Sequence, residues 1–454
     1  MFSRSILLKL NQWAGQSNRK PLVLRGARQV GKTTAVDLWA DQFDQYLYLN
    51  LELQEDRALF ERELRFEERV ESIFFYKNAI RDKGKTLIFI DEIQNVPQAV
   101  KELRYFYEKA GNIFVIAAGS LLESLIDRHI SFPVGRVEYQ VMRPLSFREF
   151  LEASDETQVI RIFDQIPMPN YAQERLLKLF HRFAFIGGMP EIVKVYLDTR
   201  DLNRLMPVYE SLIVSYLDDV EKYASNQTQS AVLRHIIRNA FFEAGSRITF
   251  QGFGKSNYRS REMSEAFTIL EKAMLLHLIY PTTHAQPPLL AERKRSPKLQ
   301  LLDTGLVNYF AGLHKDLFQS TDLNNVYKGK IAEHIVGQEL LAMNTSVLHG
   351  LHFWVREKKQ SNAEVDFIVP FGDYLIPIEV KSGAAGRLRS LHQFIDQAPH
   401  PYAVRFYSEK VCIDTVKTIG GKPFFLLNLP YYLVNRLDDY LDWFLNEVKK
   451  KSHK

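Results

Sequence analysis

Gly26-Ala27-Arg28-Gln29-Val30-Gly31-Lys32-Thr33 is the stretch on which the reading of this chain turns. It follows an apolar run, Pro21-Leu22-Val23-Leu24-Arg25, that reads as a strand, and a helical pattern begins at about Gly31. A strand, a glycine-rich turn and a helix in that order make a phosphate-binding loop. Gly26 and Gly31 let the backbone curl, so that successive N–H groups point at phosphate oxygens and the helix presents its positive end. The expected cradle runs over Gly26, Ala27, Arg28, Gln29, Val30, Gly31, Lys32, Thr33 and Thr34. Lys32 reaches the β- and γ-phosphates and the Thr33 hydroxyl holds Mg²⁺, so ATP and Mg²⁺ are the cofactors expected here.

Moving outward, short apolar runs alternate with helical patterns over about the first 150 residues, the signature of a parallel sheet in an α/β layer fold. Tyr46–Leu51, Thr86–Asp91 and Ile113–Ala118 read as strands, and Arg136–Met142 as a fifth. The run Leu87-Ile88-Phe89-Ile90 ends in Asp91-Glu92. Carboxylates at the carboxyl end of a parallel strand sit where such sheets bind ligands. Asp91 is expected to bind Mg²⁺ through water and Glu92 to polarise the attacking water. The plainer alternative is a solvated acidic turn.

At 454 residues the chain is too long for one compact core, and roughly two to four domains are expected. No run of apolar residues reaches the ~18 needed for a membrane helix, so no membrane partner is expected. The start lacks the long apolar region and cleavage site of a signal peptide. The single cysteine, Cys412, excludes an internal disulfide framework and a cysteine-built zinc site; a reducing, cytoplasmic location is the simplest expectation. A net charge of +5 permits contact with nucleic acid without demanding it.

The motif series resembles the AAA-type ATPase domain of a prokaryotic family that carries a C-terminal domain of unknown function, DUF4143. It comprises the phosphate loop, Phe89-Ile90-Asp91-Glu92-Ile93-Gln94, Ala118-Gly119-Ser120 and Pro144-Leu145-Ser146-Phe147-Arg148-Glu149-Phe150. The resemblance continues through Gly187-Gly188-Met189-Pro190-Glu191 and Leu302-Asp303-Thr304-Gly305-Leu306. It implies that Ser120 senses the γ-phosphate and that Arg136 is an arginine finger completing a neighbouring subunit's site, hence a homo-oligomer. The alternative for Arg136 is a structural ion pair.

The second informative stretch is Ala363-Glu364-Val365-Asp366-Phe367 to Pro377-Ile378-Glu379-Val380-Lys381, with Gly372-Asp373 as a two-residue hairpin turn. Centred there, the turn sets Asp366 opposite Glu379 and Glu364 opposite Lys381, all on one face. Opposed like charges repel and need a cation, for which Mg²⁺ or Mn²⁺ suits an all-oxygen site. The arrangement resembles the PD-(D/E)xK nuclease superfamily, with Glu333 as the upstream glutamate and Lys381 beside the metal. Two other readings stand beside it: a charged hairpin face, or a nuclease-type fold that binds without cutting.

Between these sites the resemblance suggests a winged-helix-like module around Thr228–Tyr280. Ser264–Leu276 reads as an amphipathic helix behind the basic, aromatic Lys255-Ser256-Asn257-Tyr258-Arg259-Ser260-Arg261. Arg293, Lys294, Arg295 and Lys298 would extend a surface for DNA, the expected macromolecular partner, or simply form a solvated loop. His181, His235 and His334 lack metal spacing and read as structural. The expected fold is therefore α/β: a P-loop AAA-type core over 1–145, a helical lid over 146–224, a winged-helix-like connector over 225–325 and a restriction-endonuclease-like domain over 326–454.

Overall fold

The structure, a computed structural model, describes residues 2–119, 135–312, 330–357, 363–381 and 388–452. Its first layer is a five-stranded parallel sheet in the order β2-β3-β4-β1-β5. The strands are β1 (Leu22–Arg25), β2 (Gln45–Asn50), β3 (Thr86–Asp91), β4 (Phe114–Gly119) and β5 (Glu138–Val141). Side chains alternate across the sheet, and the two faces feed separate cores. Leu22, Leu24, Phe89 and Ile116 enter one, Val23, Ile88, Ile90 and Val115 the other. All six residues of β3 are buried, as expected for a strand covered on both faces.

Helices follow from Phe147 to Tyr223. Ser146 caps the first, accepting from the Glu149 N–H while the Glu149 carboxylate takes the Ser146 N–H, which satisfies orphan donors at both ends of that turn. Two hydrogen bonds then join distant segments. Leu145 N–H donates to the Gly188 carbonyl at 2.7 Å, and Gly188 N–H donates to Asp303 Oδ2 at 2.6 Å. The glycines are required by contact: a Cβ on Gly188 would lie 2.2 Å from the Leu145 carbonyl oxygen, and one on Gly305 would lie 2.1 Å from that of Ile186. The Gly187-Gly188 and Leu302–Leu306 motifs thus lock together segments more than a hundred residues apart.

The second sheet has eight strands in the order β12-β13-β11-β10-β9-β8-β6-β7. They are β6 (Leu276–Thr282), β7 (Lys298–Leu301), β8 (His352–Val355), β9 (Glu364–Phe371), β10 (Tyr374–Val380), β11 (Tyr402–Tyr407), β12 (Cys412–Lys417) and β13 (Pro423–Pro430). Helix Arg389–Gln397 covers one face through Leu391 and Phe394; Ile335 and Val336 of helix Lys330–Ala342 face the other. The β6–β7 hairpin belongs to the connector by sequence, yet β6 pairs in parallel with β8 through Tyr280 and His352. The expected boundary at residue 325 therefore falls within one sheet. Helix Ser260–Lys272 replaces the expected Ser264–Leu276, because Leu276 opens β6 instead.

The C-terminal end returns to the lid. Tyr440 OH accepts from Met168 N–H at 3.0 Å, and Tyr431 stacks on Phe180 at 6.4 Å between centroids. One apolar core consequently runs from Ile6 to Val448. Among the described residues, no helix is long and apolar enough to cross a membrane.

Candidate functional site

The phosphate loop leaves β1 through backbone that only a flexible chain adopts. Gly31 caps helix Lys32–Ala40 with φ of 93°, and Gln29 also takes a left-handed φ of 65°. A Cβ on Gly26 would stand 2.4 Å from the Met142 carbonyl oxygen, so the loop lies directly against the end of β5. Lys32 is buried and its ammonium donates to the Gly26 and Ala27 carbonyls at 2.9 and 3.0 Å. Burial pulls its pKa below the ordinary lysine value, with Glu92 and Asp91 opposing that shift. A phosphate entering the loop would give the ammonium the anion it lacks. Ala27 and Val30 are buried beneath the loop, while Gln29 and Thr34 are exposed.

At the end of β3, Thr33 Oγ1 donates to Asp91 Oδ2 at 2.7 Å. These two oxygens suit Mg²⁺, a hard cation that accepts hydroxyl, carboxylate and phosphate oxygens. Glu92 sits next to them in a left-handed conformation with φ of 52°, its carboxylate accepting from Gln94 Nε2. Burial raises the Glu92 pKa above the ordinary carboxylate range, which favours a group poised to handle a proton. Ser120 lies outside the described residues.

Arg28 carries a contact not anticipated from sequence. Its guanidinium pairs with buried Asp219 on helix Met206–Tyr223, and Tyr216 OH donates to the Arg28 carbonyl at 3.3 Å. The Asp219 partner raises the Arg28 pKa. Arg4 braces the loop from below, donating to the Val30 carbonyl at 3.0 Å and to the Arg143 carbonyl at 2.6 Å. Both links bridge long sequence separations, so no local pattern announces them.

Arg136 stands at the other end of the sheet. Glu138 pairs with Leu22 at the start of β1, whereas the phosphate loop leaves its far end after Arg25. At about 3.3 Å per residue, Arg136 is on the order of 20 Å from its own loop. Here its Nε pairs with Glu108 at 3.0 Å on a half-exposed surface.

In the C-terminal unit the hairpin has the register that the Gly372-Asp373 turn implies. Phe371 pairs with Tyr374 and Phe367 with Ile378, where the ladder ends one residue short of Asp366 and Glu379. Asp366 Oδ2 accepts from Val380 N–H at 2.7 Å, and Lys381 pairs with Glu379. The compensating cation beside Asp366 is a side chain. Lys298, 3% exposed, contacts Glu333, approaches Glu364 Oε1 at 2.7 Å and lies 3.8 Å from Asp366 Oδ1. Expected as part of an exposed basic run, Lys298 is instead buried among acids because β7 turns it inward from the hairpin. Burial works to lower its pKa, but Glu333, Asp366 and Glu364 outweigh that and raise it. Burial raises Glu379 to about 8 and Glu333 to about 7. Among the described residues, no group of three or more His, Cys, Asp or Glu side chains forms a metal-holding cluster.

The histidines fall within the framework. His334 Nε2 accepts from Leu301 N–H at 3.0 Å and its Nδ1 lies 3.0 Å from Thr304 Oγ1, so the buried ring is neutral, with its pKa pushed down to about 3 by burial. His235 Nε2 lies 3.0 Å from the Phe253 carbonyl oxygen.

Three stretches of the chain match known families. Residues 18–151 match the family described as AAA domain, 177–317 a domain of unknown function, DUF8612, and 328–419 another, DUF4143. The uncharacterized protein MJ1544 of Methanocaldococcus jannaschii is 26% identical over 356 residues, covering 77% of this chain and 72% of its own. Among solved structures, the Walker-type ATPase PABY2304 of Pyrococcus abyssi has a TM-score of 0.44 at 14% identity, over 68% of this chain and 96% of that one. The Thermotoga maritima RuvB Holliday junction branch migration motor has a TM-score of 0.26 at 18% identity, over 64% and 90%. The chain thus joins an AAA-type ATPase domain to a C-terminal DUF4143 domain.

Proposed function

We propose that this protein is an ATP-hydrolysing switch whose nuclease-like C-terminal domain is its output, acting on DNA. The observation that carries the reading is the 2.7 Å bond between Thr33 and Asp91 beside the buried ammonium of Lys32. Thr33 and Asp91 would hold Mg²⁺, which supplies charge neutralisation at the transferring phosphoryl group. Lys32 stabilises the phosphates, and Glu92, held by Gln94, orients the attacking water. Arg136 completes the site of an adjacent copy, a role suited to its position at the far end of the sheet. For DNA, the support is the exposed Lys255, Arg259 and Arg261 at the head of helix Ser260–Lys272.

A specific observation favours recognition over cleavage in the C-terminal domain. As arranged, the carboxylates do not fit a divalent ion, because the Lys298 ammonium stands among Glu333, Glu364 and Asp366. No cleavage step is derived through such an ion. The deciding experiment incubates the protein with Mg²⁺ or Mn²⁺, ATP and several DNA forms, beside Asp366→Ala and Lys381→Ala. ATP-dependent DNA retention without cutting supports recognition. Cutting that both variants lose restores the nuclease reading, and absence of DNA binding in either nucleotide state rejects DNA as the target. For the finger, mixing Arg136→Ala with Glu92→Gln subunits should restore ATP turnover; co-assembly without restoration assigns Arg136 to its pair with Glu108.

A further inference from the structure

A cavity of about 460 Å³ opens where the edge of the ATPase sheet meets helix Ser260–Lys272, β6 and the segment leading into β8. It is separate from the phosphate loop: Arg25, the residue before Gly26, lines it, but the cradle residues do not. Its polar wall is strongly basic, with Arg25, Arg143, Lys272 and Arg293 alongside His277 and His349. The acid in the lining is Glu271, whose Oε1 already accepts from Leu278 N–H at 2.9 Å. Arg143 is the unusual member. It directs one Nη to His277 Nε2 at 2.8 Å, while its buried Nε has no hydrogen-bond partner among the described residues.

A buried guanidinium N–H left unpaired is expensive, and native proteins rarely keep one without a use. Cations gathered in a concave, half-enclosed space call for a multiply charged anion. The lining also includes the apolar Val141, Met274 and Leu341, which suit a carbon framework. The space is of mononucleotide size and too small for a duplex.

We infer that this cavity is a binding site for a small organic phosphate, held by Arg143 and Arg293 at the junction of the ATPase core, connector and C-terminal unit. Two further observations agree with it. Burial, reinforced by Arg143, holds His277 well below the ordinary histidine value, and burial lowers Arg143 to about 10; an anion would reverse both. Arg293, exposed at the rim, places its guanidinium 5.5 Å from the Tyr280 ring centroid, so a cation and an aromatic face meet at the mouth.

The test uses the full chain in a Lys32→Ala background, which weakens phosphate binding at the loop. Ribose 5-phosphate, inorganic phosphate and ribose are titrated by calorimetry, beside Arg143→Gln and Arg293→Gln. Ribose 5-phosphate should bind more tightly than inorganic phosphate, with ribose inert, and each substitution should weaken it roughly tenfold or more. Arg293→Gln keeps the test decisive if Arg143→Gln unfolds, because Arg293 is at the surface. Binding unchanged by Arg293→Gln, or no binding of either phosphate at millimolar concentration, overturns the assignment. So does an oligonucleotide that binds at the same arginines while ribose 5-phosphate does not.

Discussion

Two lysines, Lys32 and Lys298, are both buried, and they differ in what surrounds them. Among the described residues, Lys32 donates to backbone carbonyls of its own loop, an arrangement that waits for an anion. Lys298 is already enclosed by carboxylates from a helix and the β9 strand, an arrangement that is complete without a ligand. The contrast separates a cation kept for binding from one kept for folding. It also separates a site assembled by eight consecutive residues from one assembled by β7, β9, β10 and helix Lys330–Ala342.

That distinction can be broken at several points. Lys298→Met removes the buried cation among the partly buried Glu333, Glu364 and Asp366, leaving Glu364 its pair with Arg247, and loss of one partner of a buried pair costs up to about 3–5 kcal/mol. Urea unfolding at pH 8 should show that loss; unchanged stability would mean that the carboxylates do not rely on Lys298. Lys32→Ala should behave oppositely, lowering ATP turnover by roughly 10²–10³-fold while the melting temperature stays near that of the parent. Turnover that survives removes the phosphate loop from the reaction. Gly305→Ala sets a Cβ 2.1 Å from the Ile186 carbonyl oxygen, and overpacking costs typically ~1–3 kcal/mol. A variant as stable as the parent would show that the lid and connector are not held by this contact.

A further effect concerns pH. Glu339 is buried against the start of helix Phe147–Ala153, accepting from Phe147 N–H at 3.1 Å, and burial raises it to about 8. The folded chain therefore keeps a proton that the unfolded chain has released, so stability declines as pH rises from the ordinary glutamate range toward 8. Glu339→Gln should make that slope shallower in melts at pH 5, 6.5 and 8, leaving the part that Glu333 and Glu379 contribute. A parallel slope in parent and variant assigns the whole dependence elsewhere.

Legibility in the sequence follows from how far apart the parts of a site lie. The phosphate loop, Asp91 and Glu92 could be read because each closes an apolar strand and its geometry is local. The register of the hairpin as far as Phe367 and Ile378 could be read because a two-residue turn sets it. Lys298 could not, since its orientation depends on β7 pairing with β6 and on helix Lys330–Ala342 passing overhead. The same holds for Asp219 beneath Arg28 and for Asp303 beneath Gly188. The motif Leu302–Leu306 was visible as a motif, but its partner, the Gly187-Gly188 turn, lies more than a hundred residues away, and only the fold joins them.

The pairing of β6 with β8 has a practical side for anyone who would study the C-terminal unit by itself. A fragment beginning at residue 326 would lose both strands of the β6–β7 hairpin and leave the backbone of Tyr280's partner, His352, facing water. Such a fragment presents an open, apolar strand edge, with buried Phe353 and Trp354 next to it, and open edges recruit other chains. Insoluble aggregates from that fragment would report a severed sheet and would say nothing about the activity of the intact protein. Beginning instead before Leu276 keeps the edge covered and carries Lys298 along with the acids it neutralises.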